Sequence, residues 1–99
     1  PEMGNYGALF TPIVEGVLGL APQADGLWIS PSLLEGMNKL KLKQPLSYAG
    51  KQFYLEISWE GNQLGSAELD GKALTVEPRG LLLRPEDLQE NSRLTLHFS

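Results

Sequence analysis

The stretch QFYLEISW, Gln52 to Trp59, alternates strictly between apolar and polar positions. Phe53, Leu55, Ile57 and Trp59 share one parity, and Tyr54, Glu56 and Ser58 share the other. Successive side chains of an extended chain point to opposite faces, so a period of two reads as a half-buried β-strand. It is the clearest strand in the chain and is expected at the centre of the core. The segments on either side repeat the pattern in shorter form. Downstream, Gly61-Asn62 marks a turn, Leu64 to Leu69 a short strand, and Asp70-Gly71 a two-residue hairpin leading into Ala73 to Val76. Asp-Gly is favoured there because a type I′ turn needs positive φ at both central positions.

Pro78-Arg79-Gly80 then breaks the pattern, Leu81 to Leu83 is a short apolar run, and Pro85 to Leu88 suits a single helical turn starting at Pro85. Arg93 to Phe98 alternates again, with Leu94, Leu96 and Phe98 inward and His97 outward. Upstream of Gly50, which turns the chain, Leu40, Leu42, Leu46 and Tyr48 share one face, and Lys39, Lys41 and Lys43 the other. Pro45 interrupts this run and removes a ladder donor, which predicts an edge strand or a bulge. The lysine stripe then reads as a solvated edge that discourages edge-to-edge pairing. An anion site is the alternative, and a lone stripe does not make one.

The N-terminal third changes period. In IVEGVLGLAPQADGLWISPSLL, Ile13 to Leu34, the residues Ile13, Val14, Val17 and Leu18 fall on one side of a helix, and Tyr6 and Phe10 extend that face backwards. Thr11 suits the N-cap and Pro12 the first helical position, with an earlier start kinked at Pro12 as the alternative. Gly19 can close the helix in the left-handed conformation, and Pro22 prevents its continuation. Asp25-Gly26 reads as a tight turn, Leu27 to Ile29 as a short extended run stopped by Pro31, and Leu33 to Met37 as a loop. The chain is therefore expected to be mainly β. Residues 1–20 form one N-terminal α-helix and linker, and residues 21–99 form a small antiparallel β-sandwich of about six to seven strands.

Composition bounds what such a chain can do. Its 99 residues make one domain, and 41% apolar with 20% charged residues is the ordinary globular range. No apolar run is long enough for a membrane-spanning helix, so no membrane partner is expected. A net charge of −4 argues against binding nucleic acid, which needs local positive charge. With no cysteine there is neither a disulfide framework nor thiolate chemistry, and both cytoplasm and periplasm stay open as the compartment. The sequence opens at Pro1 without an initiator Met or a signal-like segment, which fits a mature, a trimmed or an excised chain, and excision from a longer chain is the expectation.

The succession Glu15-Gly-Val-Leu-Gly-Leu20, a short Pro-containing loop, Asp25-Gly-Leu27, Ile29 and Pro31 resembles a junction found in inverting carbohydrate enzymes. In those enzymes the last helices of an (α/α)6 barrel give way there to a C-terminal β domain. The families are the disaccharide phosphorylases and hydrolases of the maltose, kojibiose and trehalose type and of the cellobiose and chitobiose type. A block similar to Leu46 to Ile57 and a turn similar to Leu69-Asp-Gly-Lys72 follow in the same order, so the resemblance spans roughly Phe10 to Val76. Two features depart from it. Leu34-Glu-Gly-Met37 stands where the families often carry a Pro and a Trp, and Leu81 to Ser99 has no counterpart. The resemblance implies a non-catalytic accessory domain of a bacterial glycoside hydrolase or disaccharide phosphorylase, partnered by the catalytic barrel of the same parent chain. It implies no catalytic residue here, because the families' catalytic acid and phosphate-binding loops lie in the barrel, upstream of residue 1.

The residues themselves agree that no catalytic set is evident. His97 is the single histidine, and without cysteine it cannot build a clustered zinc site, so neither metal nor cofactor is expected. No nucleophile elbow or Ser/His/Asp order is recognisable, though triads are spatial arrangements. Paired carboxylates can cleave glycosides, but Asp70 is explained by its turn, Glu56 and Glu68 by solvated strand faces, and Glu15 by the polar side of the helix. The glycines form no phosphate-cradling loop. Trp28 and Tyr54 are the candidate binding residues, since both lie opposite core positions and sugars stack on aromatic rings. Their other explanation is a contact surface against a neighbouring domain, which would also cover the apolar helix face. Trp59 and Tyr48 share parity with core residues and read as packing. Two further readings remain: a free-standing carbohydrate-binding module, and an independent interaction domain with the helix folded on its own sheet.

Overall fold

The computed structural model describes residues 18–32 and 38–99. Of the predicted helix only Leu18 falls among them, and the predicted loop Leu33 to Met37 lies outside them. The described residues form nine strands: β1 (Leu20–Gln23), β2 (Gly26–Ile29), β3 (Lys39–Lys41), β4 (Leu46–Tyr48), β5 (Lys51–Trp59), β6 (Leu64–Leu69), β7 (Lys72–Ala73), β8 (Leu81–Leu83) and β9 (Asn91–Phe98). They make two sheets. One is ordered β1-β2-β8; the other is ordered β3-β5-β9-β6-β7, with β4 also paired to β5.

β5 takes the central place its alternation predicts. Phe53, Leu55, Ile57 and Trp59 are all buried, while Tyr54, Glu56 and Ser58 on the other parity are half-buried. β9 lies beside it with Leu94, Leu96 and Phe98 buried, and β6 adds Leu64, Ala67 and Leu69. On its other side β5 carries β3 and β4, which together form a split edge strand. Leu42 N–H still reaches Leu55 O at 3.0 Å, after which the chain leaves the ladder around Pro45 and rejoins at Leu46. The three lysines are exposed, as an edge position requires.

The two hairpins of this sheet turn on two residues each. Ala49 and Gly50 (φ 56° and 77°) join β4 to β5, and Asp70 and Gly71 (φ 53° and 87°) join β6 to β7. Positive φ at both central positions matches the twist of the flanking strands. β7 is only Lys72–Ala73, shorter than the predicted Ala73 to Val76. The predicted turn at Pro85 is present as a one-turn 3-10 helix, Pro85–Asp87.

Three expectations need correction. The sheets are not wholly antiparallel, because β5 and β9 pair in parallel over eight residues, from Gln52↔Asn91 to Trp59↔Phe98. A parallel pair requires a long connection. Here residues 60–90 supply it, laying down β6 and β7 in the same sheet and β8 in the other. The strands also outnumber the predicted six to seven, since the apolar run Leu81–Leu83 is a strand and so is the Pro-containing stretch Leu20–Gln23. Leu20–Gln23 pairs along Gly26–Ile29, so the turn is Ala24-Asp25 and Gly26 begins β2. Pro22 is accommodated because β1 is an edge strand, where a missing ladder donor costs little.

The buried rows of the two sheets share one core. Leu27 and Ile29 of β2 and Leu81 and Leu83 of β8 belong to the same apolar cluster as Phe53, Leu55, Leu94 and Leu96. Leu18 enters it too, at 1% exposure. Gly19 follows with φ +60°, the left-handed conformation expected there, and a Cβ on it would run into the carbonyl oxygen of Ser30. Ser30 N–H lies 3.2 Å from the carbonyl oxygens of both Leu18 and Gly19. The chain is thus clamped to the end of β2 where it enters the β domain.

Candidate functional surfaces

Parity decides which side chains the large sheet turns away from its core, and register aligns them into rows. Lys39, Ser58, His97 and Ser66 form one row across β3, β5, β9 and β6, and Lys41, Glu56, Thr95 and Glu68 form the next. Tyr54 and Arg93 form a third across β5 and β9. This face is polar and mixed in charge. A shallow hollow of about 570 Å³ lies over its first row, with Glu56, Ser58, Thr95 and His97 on its floor.

Within it, Ser58 Oγ lies 2.8 Å from His97 Nδ1, at hydrogen-bond distance. Sequence reading missed this pair: the residues are 39 apart, and only the parallel register of β5 and β9 sets them side by side. Both have outward parity, which was the available signal, but parity does not say which strands are neighbours. Nucleophilic catalysis needs more than the pair. The histidine must be oriented by a third group, and donors must await the developing oxyanion. Among the described residues the His97 side chain is hydrogen-bonded to Ser58 alone, and the backbone of β5 and β9 is committed to the ladder. Among the described residues no group of three or more His, Asp or Glu side chains is placed to hold a metal ion.

Trp28 and Tyr54 both lie opposite core positions, as their parity predicts, and both are half-buried. The structure does not bring them together. Tyr54 stands on the polar face of the large sheet, where the Arg93 guanidinium lies 5.8 Å from its ring centroid. That cation occupies a ring face on which a sugar would have to stack. Trp28 stands on the small sheet, in register with Ala21 of β1 and Leu82 of β8. These three half-buried residues make an apolar row across the sheet on the side opposite Leu27 and Ile29. The two outer faces therefore differ in chemistry.

No family model and no curated protein matches the chain.

Trp59 and Tyr48 behave as packing residues. Trp59 is 5% exposed, and Tyr48 packs against the core from the β4 edge. Glu56 and Glu68 sit on either side of Thr95 in one row, and Asp70 is used by its turn, its carboxylate accepting the Arg93 N–H at 3.0 Å.

Proposed function

We propose that the chain is a non-catalytic accessory domain of a larger carbohydrate-active enzyme, a glycoside hydrolase or disaccharide phosphorylase that inverts at the bond it cleaves. Its two sheets form a β-sandwich whose small sheet braces the catalytic (α/α)6 barrel of the same parent chain. The observation that carries the reading is the Ala21–Trp28–Leu82 row: three apolar side chains in register on the sheet into which the N-terminal junction leads. An apolar row opposite the core side calls for a partner surface, and aromatic residues are favoured at the centre of such contacts. The clamped junction supports the same role. Leu18 is in the core and Gly19 is held against Ser30, so whatever precedes the domain would be carried rigidly on it.

The common core beneath both sheets supports the sandwich arrangement. A free-standing carbohydrate-binding module is the competing reading, and the cation over Tyr54 counts against it. The deciding experiment is the intact mass of the protein in its source cell, read with an antibody raised against this domain. A band far above 10.9 kDa is expected, followed by phosphorolysis or hydrolysis of disaccharides by the whole chain. A band at 10.9 kDa would sink the accessory-domain reading. In the whole enzyme, Leu82→Glu is expected to loosen the domain from the barrel, seen as a separate, earlier melting transition.

A further inference from the structure

Residues 73–84 form a hairpin that closes only at its tip. Across the turn Pro78-Arg79, Glu77 N–H donates to Gly80 O at 2.8 Å and Gly80 N–H to Glu77 O at 3.2 Å. In that register the next pairs would be Thr75 with Leu82 and Ala73 with Arg84. Neither forms, because the two arms belong to different sheets: Lys72–Ala73 pairs with β6, and Leu81–Leu83 pairs with β2. A cleft of about 440 Å³ opens between the arms, walled by Ala73, Leu74 and Thr75 on one side and by Leu81, Leu82 and Arg84 on the other.

The ladders fix which way the backbone of each arm faces. A Cβ on Gly80 would meet the Ile29 carbonyl oxygen, so Ile29 turns its backbone groups toward β8, and Ile29↔Leu81 is a hydrogen-bonded pair. Bonding sides alternate along an antiparallel strand, so the N–H and C=O of Leu82 face away from β2, into the open edge. Across the cleft, Leu74 N–H donates to Ala67 O at 2.9 Å, toward β6. The same alternation turns Thr75 away from β6, to the side on which Glu77 meets Gly80. Among the described residues neither Thr75 nor Leu82 has a backbone partner on that side. Each wall thus offers a donor and an acceptor, which one extended strand lying between them satisfies from both of its edges.

Charge narrows the occupant. The cleft and the hollow that adjoins it at Ala73 and Leu74 are walled by Asp70, Glu77, Glu86 and Asp87 against Lys72 and Arg84, four carboxylates to two cations. The other edges of the small and large sheets are guarded, β1 by Pro22 and β3 by its exposed lysines, whereas β8 carries neither proline nor lysine.

We propose that this cleft binds an extended basic peptide as a strand between the two arms. Its backbone bonds Thr75 and Leu82, its lysine or arginine side chains meet the surrounding carboxylates, and its apolar side chains lie on half-buried Leu74. The site uses the backbone of Leu82, whereas the accessory role uses its side chain, so the failure of one is a separate result from the failure of the other. The test titrates the peptide Lys-Val-Lys-Val-Lys into the 99-residue chain and follows the assigned amide signals in a proton–nitrogen correlation spectrum. Thr75 and Leu82 are expected to shift together and saturably. Glu-Val-Glu-Val-Glu reverses the charge, and Lys-Pro-Lys-Pro-Lys keeps it but lacks two backbone donors; both are expected to leave the two signals in place. Glu77 and Asp87 are exposed, so changing both to lysine spares the core, and it should weaken binding of the valine–lysine peptide about fivefold or more. Unmoved Thr75 and Leu82 signals overturn the proposal. So does an equal response to either control peptide, or an affinity unchanged by Glu77→Lys with Asp87→Lys. Shifts at Thr75 and Leu82 that follow protein concentration without peptide overturn it too, for a second copy would then fill the cleft.

Discussion

Trp59 and Phe98 are partners in register at the far ends of β5 and β9, their ring centroids 5.7 Å apart and their planes inclined by 26°. The pair closes the core where the parallel strands end, and both residues are at most 5% exposed. Phe98→Ala is expected to destabilise the domain by about 3–5 kcal/mol, the range for deleting a buried aromatic. Chemical denaturation measures it. A double-mutant cycle with Trp59→Leu should show a coupling of about 0.5–1.5 kcal/mol beyond lost area.

The β4–β5 hairpin carries a residue its backbone does not favour. Ala49 has φ 56°, where an L-residue with a Cβ is strained, while the matching position of the β6–β7 hairpin is Asp70 at φ 53°. Ala49 is exposed, so replacing it costs no packing. Ala49→Asn is expected to stabilise by roughly 1 kcal/mol, raising Tm by about 4–8 °C in a domain of this size. Asp70→Ala should lower Tm. A loss of stability in Ala49→Asn would mean the turn is not held as described.

Lys51 ties the start of β5 to the 3-10 turn. Its Nζ donates to Leu88 O at 2.9 Å and to Pro85 O at 3.3 Å, the carbonyls of the residue that caps the turn and of the residue that opens it. Lys51→Met keeps the aliphatic stem and removes both bonds. A destabilisation of about 1–2 kcal/mol is expected, since the site is only partly buried and water can replace some of the loss. Amide exchange at Leu88, whose N–H bonds Pro85 O at 3.2 Å, should speed up more than exchange in β9.

Gly19 is the most demanding glycine of the junction. It combines φ +60° with a Cβ position already occupied by the Ser30 carbonyl. Gly19→Ala therefore meets a backbone clash as well as a conformational penalty, and should cost more than about 2 kcal/mol. Gly71 supplies the control, for it has φ +87° with open space around it, so Gly71→Ala should show the conformational penalty alone. Equal losses in the two variants would remove the clamp at Ser30 from the account.

How much of this was legible in the sequence follows from the range over which each feature is decided. The parity of β5 and β9 was readable because alternation is a property of a few adjacent residues. The core row Phe53, Leu55, Ile57, Leu94 and Leu96 follows from it directly. β1 was not readable: Leu20–Gln23 contains a proline and is half-exposed or exposed throughout, and it is a strand only because Gly26–Ile29 offers it a partner.

By itself the sequence determined which faces of β5 and β9 are apolar and that Asp70-Gly71 turns a hairpin, because side-chain parity and φ preference are local and act before any long-range contact. It also determined the left-handed close at Gly19, which needs a residue without a Cβ. Only the tertiary structure decided that β5 and β9 run parallel, that β8 joins β1 and β2 in a second sheet, and that Ser58 meets His97. Strand partners are chosen by how the chain returns over residues 60–90 and by which apolar rows can share one core. That choice is a sum over the whole molecule, with no signature in any one stretch.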